Sequence, residues 1–425
     1  MNMREMKDSG IEWVGNIPAT WKSIQIKNLF TILSGATPTP DTDNWDGDVL
    51  WITPADYKTK DKYVSGGKRN ISQQGFNTCS TSMIPKGSII FSKRAPIGTV
   101  AINTEVLCTN QGCLSCVSKA DTCNDYYYYV MSVGTEHFEL LGSGTTFKEI
   151  SANSFSNCKL PCPDKCEQEK IASFLDERCS AFNCLISDIQ SQIEALEEYK
   201  RSVITEAVTK GLDPDVEMRD SGVQWIGDIP AHWITHPLYF YFGVRKNKNA
   251  LGLETNLLSL SYGKIIRKDI NSNGGLLPES FNTYNIIEKD DIIIRPTDLQ
   301  NDKRSLRTGI AREHGIITSA YIAMKAIKSV NLEYFHYLLH AYDVMKVFYN
   351  MGNGVRQGLN FSEFSRLMVF EPTIEEQNAI VEYLKEKCDE IDLAIAEKKQ
   401  QIETIEEYKK SLIFEYVTGK KEVQA

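Results

Sequence analysis

Residues 8–21 read DSGIEWVGNIPATW and residues 220–233 read DSGVQWIGDIPAHW, so the chain carries one opening twice. Two further pairs follow the same logic. EQEKIASFLDERC (167–179) aligns with EQNAIVEYLKEKC (376–388), and IEALEEYKRSVITEAVT (193–209) aligns with IETIEEYKKSLIFEYVT (402–418), all at an offset of 209. The chain therefore runs globular segment, helix, globular segment, helix. At 425 residues it is too long for one ordinary core. Duplication divides it into a first globular domain over 1–163, a central helix over 164–212, a second domain over 213–372 and a C-terminal helix with its tail over 373–425.

The first helix carries apolar or amphipathic residues at Leu175, Phe182, Leu185, Ile189, Leu196, Tyr199 and Val203, a heptad seam interrupted by Gln192. Leu384, Ile391, Ala394, Ile405, Tyr408 and Leu412 mark the matching seam of the second helix, with Lys398 and Gln401 in its middle. No Gly or Pro interrupts the span from Ile171 to Ala207, about 37 residues, or about 55 Å of helix at 1.5 Å per residue. Two such helices suit each other better than two separate surfaces. The repeat predicts an antiparallel pair related by a pseudo-twofold axis, with the polar seam residues fixing the register.

Charge follows the same division. The formal net charge is −9, yet residues 164–212 hold ten acids against six bases and residues 373–418 hold twelve against six, so the rest is close to neutral. Global acidity thus describes the helices and excludes nothing about the globular segments. No apolar run is long enough to span a bilayer, and MNMREMKDSG lacks the core of a signal peptide, so a cytoplasmic chain without membrane partners is expected.

Ten of the eleven cysteines fall between Cys79 and Cys184. Cys113-x-x-Cys116 and Cys158-xxx-Cys162-xxx-Cys166 have zinc-like spacing. Sliding the first half by 210 places Ala323 and Ala326 opposite Cys113 and Cys116, however, which predicts small core positions and no metal. His336 and His340 have the i, i+4 spacing of a metal pair but lack the glutamate of HExxH, and His336 aligns with Tyr128, an aromatic structural position. The globular segments read as mixed α/β. GSIIFS (87–92) and DIIIRP (291–296) are buried strands, NDYYYYVMS (124–132) and LEYFHYLLHAY (332–342) short helices. Trp13, Trp21, Trp225 and Trp233 are expected in cores.

The order of segments, the duplicated opening, PIGTVAI (96–102), NQG (110–112), GSGTTFKEI (142–150), LPCPDKCEQEKIASFLD and IEALEEYKRSVI together resemble the DNA-specificity subunit of type I restriction-modification enzymes, across essentially the whole chain. The resemblance implies an α+β protein: two mixed α/β target recognition domains joined by two long helices that form an antiparallel coiled coil, with a pseudo-twofold internal repeat. Each domain would read one half of a bipartite, asymmetric site on double-stranded DNA. The helices would set the spacer and bind two methyltransferase subunits that use S-adenosylmethionine. Restriction and translocase subunits working with ATP and Mg would complete the complex, and the chain itself would hold no cofactor and catalyse nothing. The residues agree on that last point, since they contain no P-loop, no [DN]PP[FY] run and no carboxylate and histidine cluster suited to metal-assisted hydrolysis.

Base reading needs donors and acceptors that reach groove edges, and phosphate contacts need positive charge or backbone N–H groups. Residues 245–312 hold twelve bases against eight acids, densest in RPTDLQNDKRSLRTGIAR (295–312), where Arg295, Lys303, Arg304 and Arg307 are candidates. Lys93 and Arg94 follow the matching strand of the first domain. Matching the strands puts Ser92 opposite Arg295, whereas matching GTVAI to TGIAR puts Lys93 and Arg94 opposite Lys303 and Arg304, and both fit a loop that differs in length. The Gly-rich GSGTTFKEI and GNGVRQGLN (352–360) add Thr145, Thr146, Lys148, Arg356 and Gln357, since glycines let a backbone approach phosphate closely. The competing function is a duplicated coiled-coil scaffold that joins proteins without reading DNA.

Overall fold

A computed structural model describes residues 4–424 except 59–60, 95, 145–147, 224, 271–277, 279, 298–305, 348–350 and 352–357. The chain forms two compact units, residues 1–189 with 400–425 and residues 190–399. The division passes through both long helices, Lys165–Lys210 and Ile374–Val417, so each unit holds one globular segment and part of each helix.

In the first unit the sheet order is Phe30–Ser34, Cys113–Ser118, Ile89–Ser92, Val100–Asn103, Tyr63–Val64, antiparallel except for the last pair. The second unit repeats the first four places with Phe242–Val244, Ile322–Ala326, Ile292–Ile294 and Thr308–Ile310. The central strands Ile89–Ser92 and Ile292–Ile294 are buried throughout because both of their faces are covered. Side chains alternate between faces at period two. Ile89 and Phe91 enter the core shared with the helices, and Ile90 enters a smaller one behind the sheet. In the second unit Ile292 and Ile294 divide from Ile293 in the same way.

Asn124–Val133 and Leu332–Val344 are the predicted short helices, and each packs a tyrosine against the end of a long helix. The Tyr126 hydroxyl donates to the Val417 carbonyl at 2.9 Å, whereas that of Tyr334 donates to the Val208 carbonyl at 3.3 Å. The first globular segment thus holds the end of the second long helix, and the second segment holds the end of the first. At the helix starts, Gln168 donates to the Pro163 carbonyl at 3.0 Å and accepts from the Cys123 N–H at 2.9 Å. Gln377 repeats this with Pro372 and Asn331, both at 2.9 Å.

The duplicated opening is a strand pair closed by a turn. Asp8 accepts from the Gly10 N–H at 3.0 Å and Asp220 from the Gly222 N–H at 2.9 Å, with those glycines at φ 64° and 72°, a left-handed conformation that DSG serves without a Cβ penalty. Trp21 and Trp233 close it. Both are buried and donate to Glu167 (2.8 Å) and Glu376 (3.4 Å) in the first turns of the long helices. Trp13 is half-buried and packs against the first core, whereas Trp225 departs from the expectation: it is 37% exposed, its ring edge-on to Tyr342 at 4.6 Å.

The helix seams are antiparallel but displaced by one residue at every second position. Within the first unit Phe174 meets Tyr416 at 4.5 Å and Phe182 meets Tyr408 at 5.6 Å, so eight residues forward on one helix match eight back on the other. Within the second unit Lys200 pairs with Asp392 at 2.6 Å. Leu175, Ile189 and Val203 are buried and Phe182 and Leu196 half-buried as expected, but Leu185 is 46% and Tyr199 55% exposed. The intervening seam positions are Cys179, Ile186, Ile193 and Lys200. In the second helix Leu384, Ile391 and Leu412 are buried and Ala394 and Ile405 half-buried, whereas Tyr408 is 56% exposed and the buried neighbour of Ala394 is Ile395. A coiled-coil stripe alternates steps of three and four, and the correct choice from Phe182 is four. Gln192 and Gln401 are consequently exposed, and register is fixed instead by Lys200 with Asp392 and by Lys409, which donates to Asn183 at 2.7 Å.

Candidate nucleic-acid interface

In each unit the chain just beyond the central strand is hydrogen-bonded to the end of the Gly-rich segment. In the first unit the Lys93 carbonyl accepts from the Ile150 N–H at 3.0 Å. In the second the Pro296 carbonyl accepts from the Leu359 N–H at 3.0 Å. The two segments that sequence reading treats separately are therefore one place in the fold. Behind both, a short helix begins with a side-chain cap, from Ser151 in the first unit and Asn360 in the second.

Lys93 and Arg94 converge on Glu149. Lys93 Nζ lies 2.8 Å from Oε1 and Arg94 Nε 2.7 Å from Oε2, while the backbones of Ser143 and Glu149 exchange two hydrogen bonds at 3.0 Å. Partial burial pushes the Glu149 carboxyl up, but the hydrogen bonds from Lys93 and Arg94 and their charges outweigh it and hold the group below the usual carboxylate range. The Lys93 side chain is only 15% exposed, and its charge is largely committed to Glu149; Arg94 is 43% exposed, and Lys148 beside it is exposed. Thr145 and Thr146 lie outside the described residues. Nothing in the sequence marks Glu149 as the organiser of this cluster, beyond its being the lone acid in GSGTTFKEI.

The second unit corrects one assignment. Arg307 is fully buried; its backbone N–H donates to the Asp343 carboxylate and its guanidinium to the Thr297 carbonyl. Asp343 is fully buried as well. Arg307 is thus an anchor inside the protein and presents no donor to a duplex. Arg295 is half-buried at the strand end, its N–H donating to the Arg307 carbonyl at 2.9 Å. Lys303, Arg304, Arg356 and Gln357 lie outside the described residues.

The strand pairing decides between the two alignments. Phe91 pairs with Val100, nine residues on, and Ile294 with Thr308, fourteen on. Ser92 therefore stands opposite Arg295, and the second loop is five residues longer. The same register corrects the cysteine comparison. Cys116 pairs with Ile89 and Met324 with Ile292, so Cys116 stands opposite Met324, and Ala323 stands opposite Ser115. Cys113 and Cys116 are both buried, and they enter different cores on opposite faces of the sheet, so they share no ligand geometry. Burial pushes the Cys113 thiol up to about 12. Among the described residues no group of three or more His, Cys, Asp and Glu could hold a metal ion. Burial pulls His336 down to about 3 and His340 to about 4, with His340 also disfavouring the charged form of His336, which fits two neutral rings in a helix face. No helix among the described residues is long and apolar enough to cross a membrane.

Residues 18–195 match the family model of the type I restriction modification DNA specificity domain. Over 189 residues the chain is 36% identical to the type I restriction enzyme MjaIX specificity subunit of Methanocaldococcus jannaschii, covering 44% of this chain and 43% of that protein, so this match spans less than half of the relative's length. The MjaX protein of the same organism, assigned as a type I restriction enzyme specificity subunit, is 24% identical over 433 aligned positions, 96% of this chain and 95% of that one. A chain solved in work on complex assembly and conformational transition of the type I R-M system superimposes with a TM-score of 0.68 at 12% identity, covering 95% of this chain and 99% of its own.

Proposed function

We propose that this chain is a specificity subunit of a type I restriction-modification system, as its matches to that family support, and that its two units read the two halves of a bipartite, asymmetric site on double-stranded DNA. The observation that supports this is that in both units the chain just beyond the central strand meets the end of the Gly-rich segment, while the connections to the next strand differ in length and sequence. A repeated scaffold with unlike loops suits two half-sites of unlike sequence. Arg94 and Lys148 in the first unit, and Arg295 with the longer loop in the second, are the groups offered to the duplex; phosphate contacts would position each unit and groove contacts would specify.

The paired helices set the number of base pairs between the half-sites and offer their outward acidic faces to two methyltransferase subunits. Those partners supply S-adenosylmethionine chemistry, and nuclease and translocase subunits using ATP and Mg complete the restriction complex. The chain contributes specificity and no catalytic group.

The test is methylation mapping by single-molecule sequencing of DNA from cells expressing this chain with its methyltransferase, against cells with the methyltransferase alone. A bipartite methylated adenine motif that needs this chain is the expected result. An assembled complex that yields no such motif would replace this reading with a scaffold. One heptad inserted near Gln192 together with one near Lys398 keeps the antiparallel helices in step and should lengthen the spacer. An unchanged spacer would remove the helices from that role.

A further inference from the structure

The segment over 35–85, which hardly aligns with its counterpart in the second half, covers the face of the first sheet turned away from the helices. It carries an arginine constrained from two directions. Arg69 donates from Nε to Asp46 Oδ1 at 2.9 Å and from Nη2 to Oδ2 at 3.0 Å, a two-point clamp on one edge of the guanidinium. Its Cζ lies 4.4 Å from the centroid of the Trp45 ring, so the flat face is stacked as well. The support is itself fixed: Trp45 Nε1 donates to the Thr39 carbonyl at 3.0 Å, and its ring stands edge-on to Trp51 at 5.3 Å, a residue buried in the small core behind the sheet. Asp46 is held at φ 60° with its N–H donating to the Asn70 carbonyl at 3.0 Å.

Stability does not call for this arrangement. The Arg69 side chain is 50% exposed and that of Asp46 70%, and an ion pair so open to water contributes little. What the contacts accomplish is orientation. With Nε and one proton of Nη2 given to Asp46, the outer edge, Nη1 and the second Nη2 proton, has no acceptor among the described residues. That edge presents two parallel N–H donors at a fixed angle. Guanine in the major groove offers two acceptors, O6 and N7, with matching separation, and a bidentate arginine is the commonest specific contact to it. A phosphate would accept the same charge, but it needs neither the clamp nor the stack, since contacts to it tolerate a flexible lysine.

We propose that Arg69, aimed by Asp46 and Trp45, reads a guanine in the half-site of the first unit. This rests on the proposed function and adds to it a residue and the base it selects.

The test is motif mapping with the full chain and its methyltransferase, comparing the unaltered chain with Arg69→Ala and Arg69→Lys and checking assembly by co-purification. Arg69→Ala should relax one guanine position of one half-site at least tenfold, leaving the other half-site and the spacer unchanged. Arg69→Lys keeps the charge but loses the fork and the stack, so the same position should stay relaxed. Three results overturn the inference alone: an unchanged motif with Arg69→Ala, full restoration of the motif by Arg69→Lys, which assigns a phosphate contact, or loss of all methylation by both assembled variants, which assigns a structural role. An unaltered chain that produces no bipartite motif overturns the functional reading and this inference with it.

Discussion

Thr99 in the first unit and Arg307 in the second stand at the same point of the fold, each offering its carbonyl to the residue at the end of the central strand, Ser92 at 2.8 Å and Arg295, just past Ile294, at 2.9 Å. Across from them Thr135 and Asp343 occupy matching places on the neighbouring helices. In the first unit the contact is neutral, the Thr135 hydroxyl donating to the Gly98 carbonyl at 3.4 Å. In the second it is charged and buried, with Asp343 holding the Arg307 backbone and the guanidinium reaching back to Thr297. The longer loop explains the difference. Five more residues leave more chain entropy to restrain, and the second unit ties both ends of its loop to one buried arginine. Where the units agree, they agree on packing; where they differ, they differ in how a loop is anchored.

Substitution of Arg307 by Ala strikes that difference directly. It empties the space of a fully buried side chain and removes its bond to the Thr297 carbonyl, while the backbone N–H keeps its bond to Asp343, and should cost the second unit about 2–5 kcal/mol, against less than about 1 kcal/mol for Thr99→Val in the first. Hydrogen exchange across the two sheets would report it. A second unit of unchanged stability whose half-site alone relaxed would mean that Arg307 faces DNA in solution. Next in size is the helix pair: Ile193→Ala should cost about 2–4 kcal/mol and Leu185→Ala about 0.5 kcal/mol or less, measured by urea unfolding. Equal losses would restore the seam through Leu185. Tyr126→Phe and Tyr334→Phe remove equivalent buried hydrogen bonds and should each cost about 1 kcal/mol. A wide inequality would show that the two helix-end contacts are not equivalent.

The smallest effect separates the units by acid. His336 and His340 have folded values depressed below the ordinary 6.5, so the unfolded chain binds more protons. The stability of the second unit is therefore fully present above pH 6.5 and declines as pH falls below it, continuing towards pH 4 and 3. Between pH 7 and 6 the loss should be about half a kcal/mol per histidine. The position matching His336 in the first unit is Tyr128, so thermal melts over this range should shift the second unit's transition further.

Much of this was legible because packing repeats itself in composition. The strands at Ile89 and Ile292, the tyrosine helices and the two long helices follow from apolar runs and heptads that occur twice. The seam was legible only to within one residue, because Leu185 and Ile186 are both apolar and Phe182 permits a step to either. Polarity further along settles it, since the stripe through Ile193 avoids the Gln192 of the alternative. Arg307 was not legible as an anchor, for nothing local distinguishes an arginine buried against the Thr297 carbonyl, its backbone N–H held by Asp343 thirty-six residues on, from one that faces solvent. The clamp on Arg69 was equally hidden, since Asp46 reaches it across twenty-three residues through a left-handed turn.

The swapped tyrosine contacts also order events in time. The second unit is one continuous stretch, residues 190–399, whereas the first closes only when Leu412, Ile413 and Val417 join the core that Tyr126 and Leu175 began. On the ribosome the half that emerges first must therefore finish last, keeping apolar surface open while its successor folds. A chain stopped after Lys399 would contain every residue of the second unit and leave the first without its closing strip. Until the second long helix arrives that apolar surface stays open, so the architecture couples closure of the first unit to synthesis of residues 400–425.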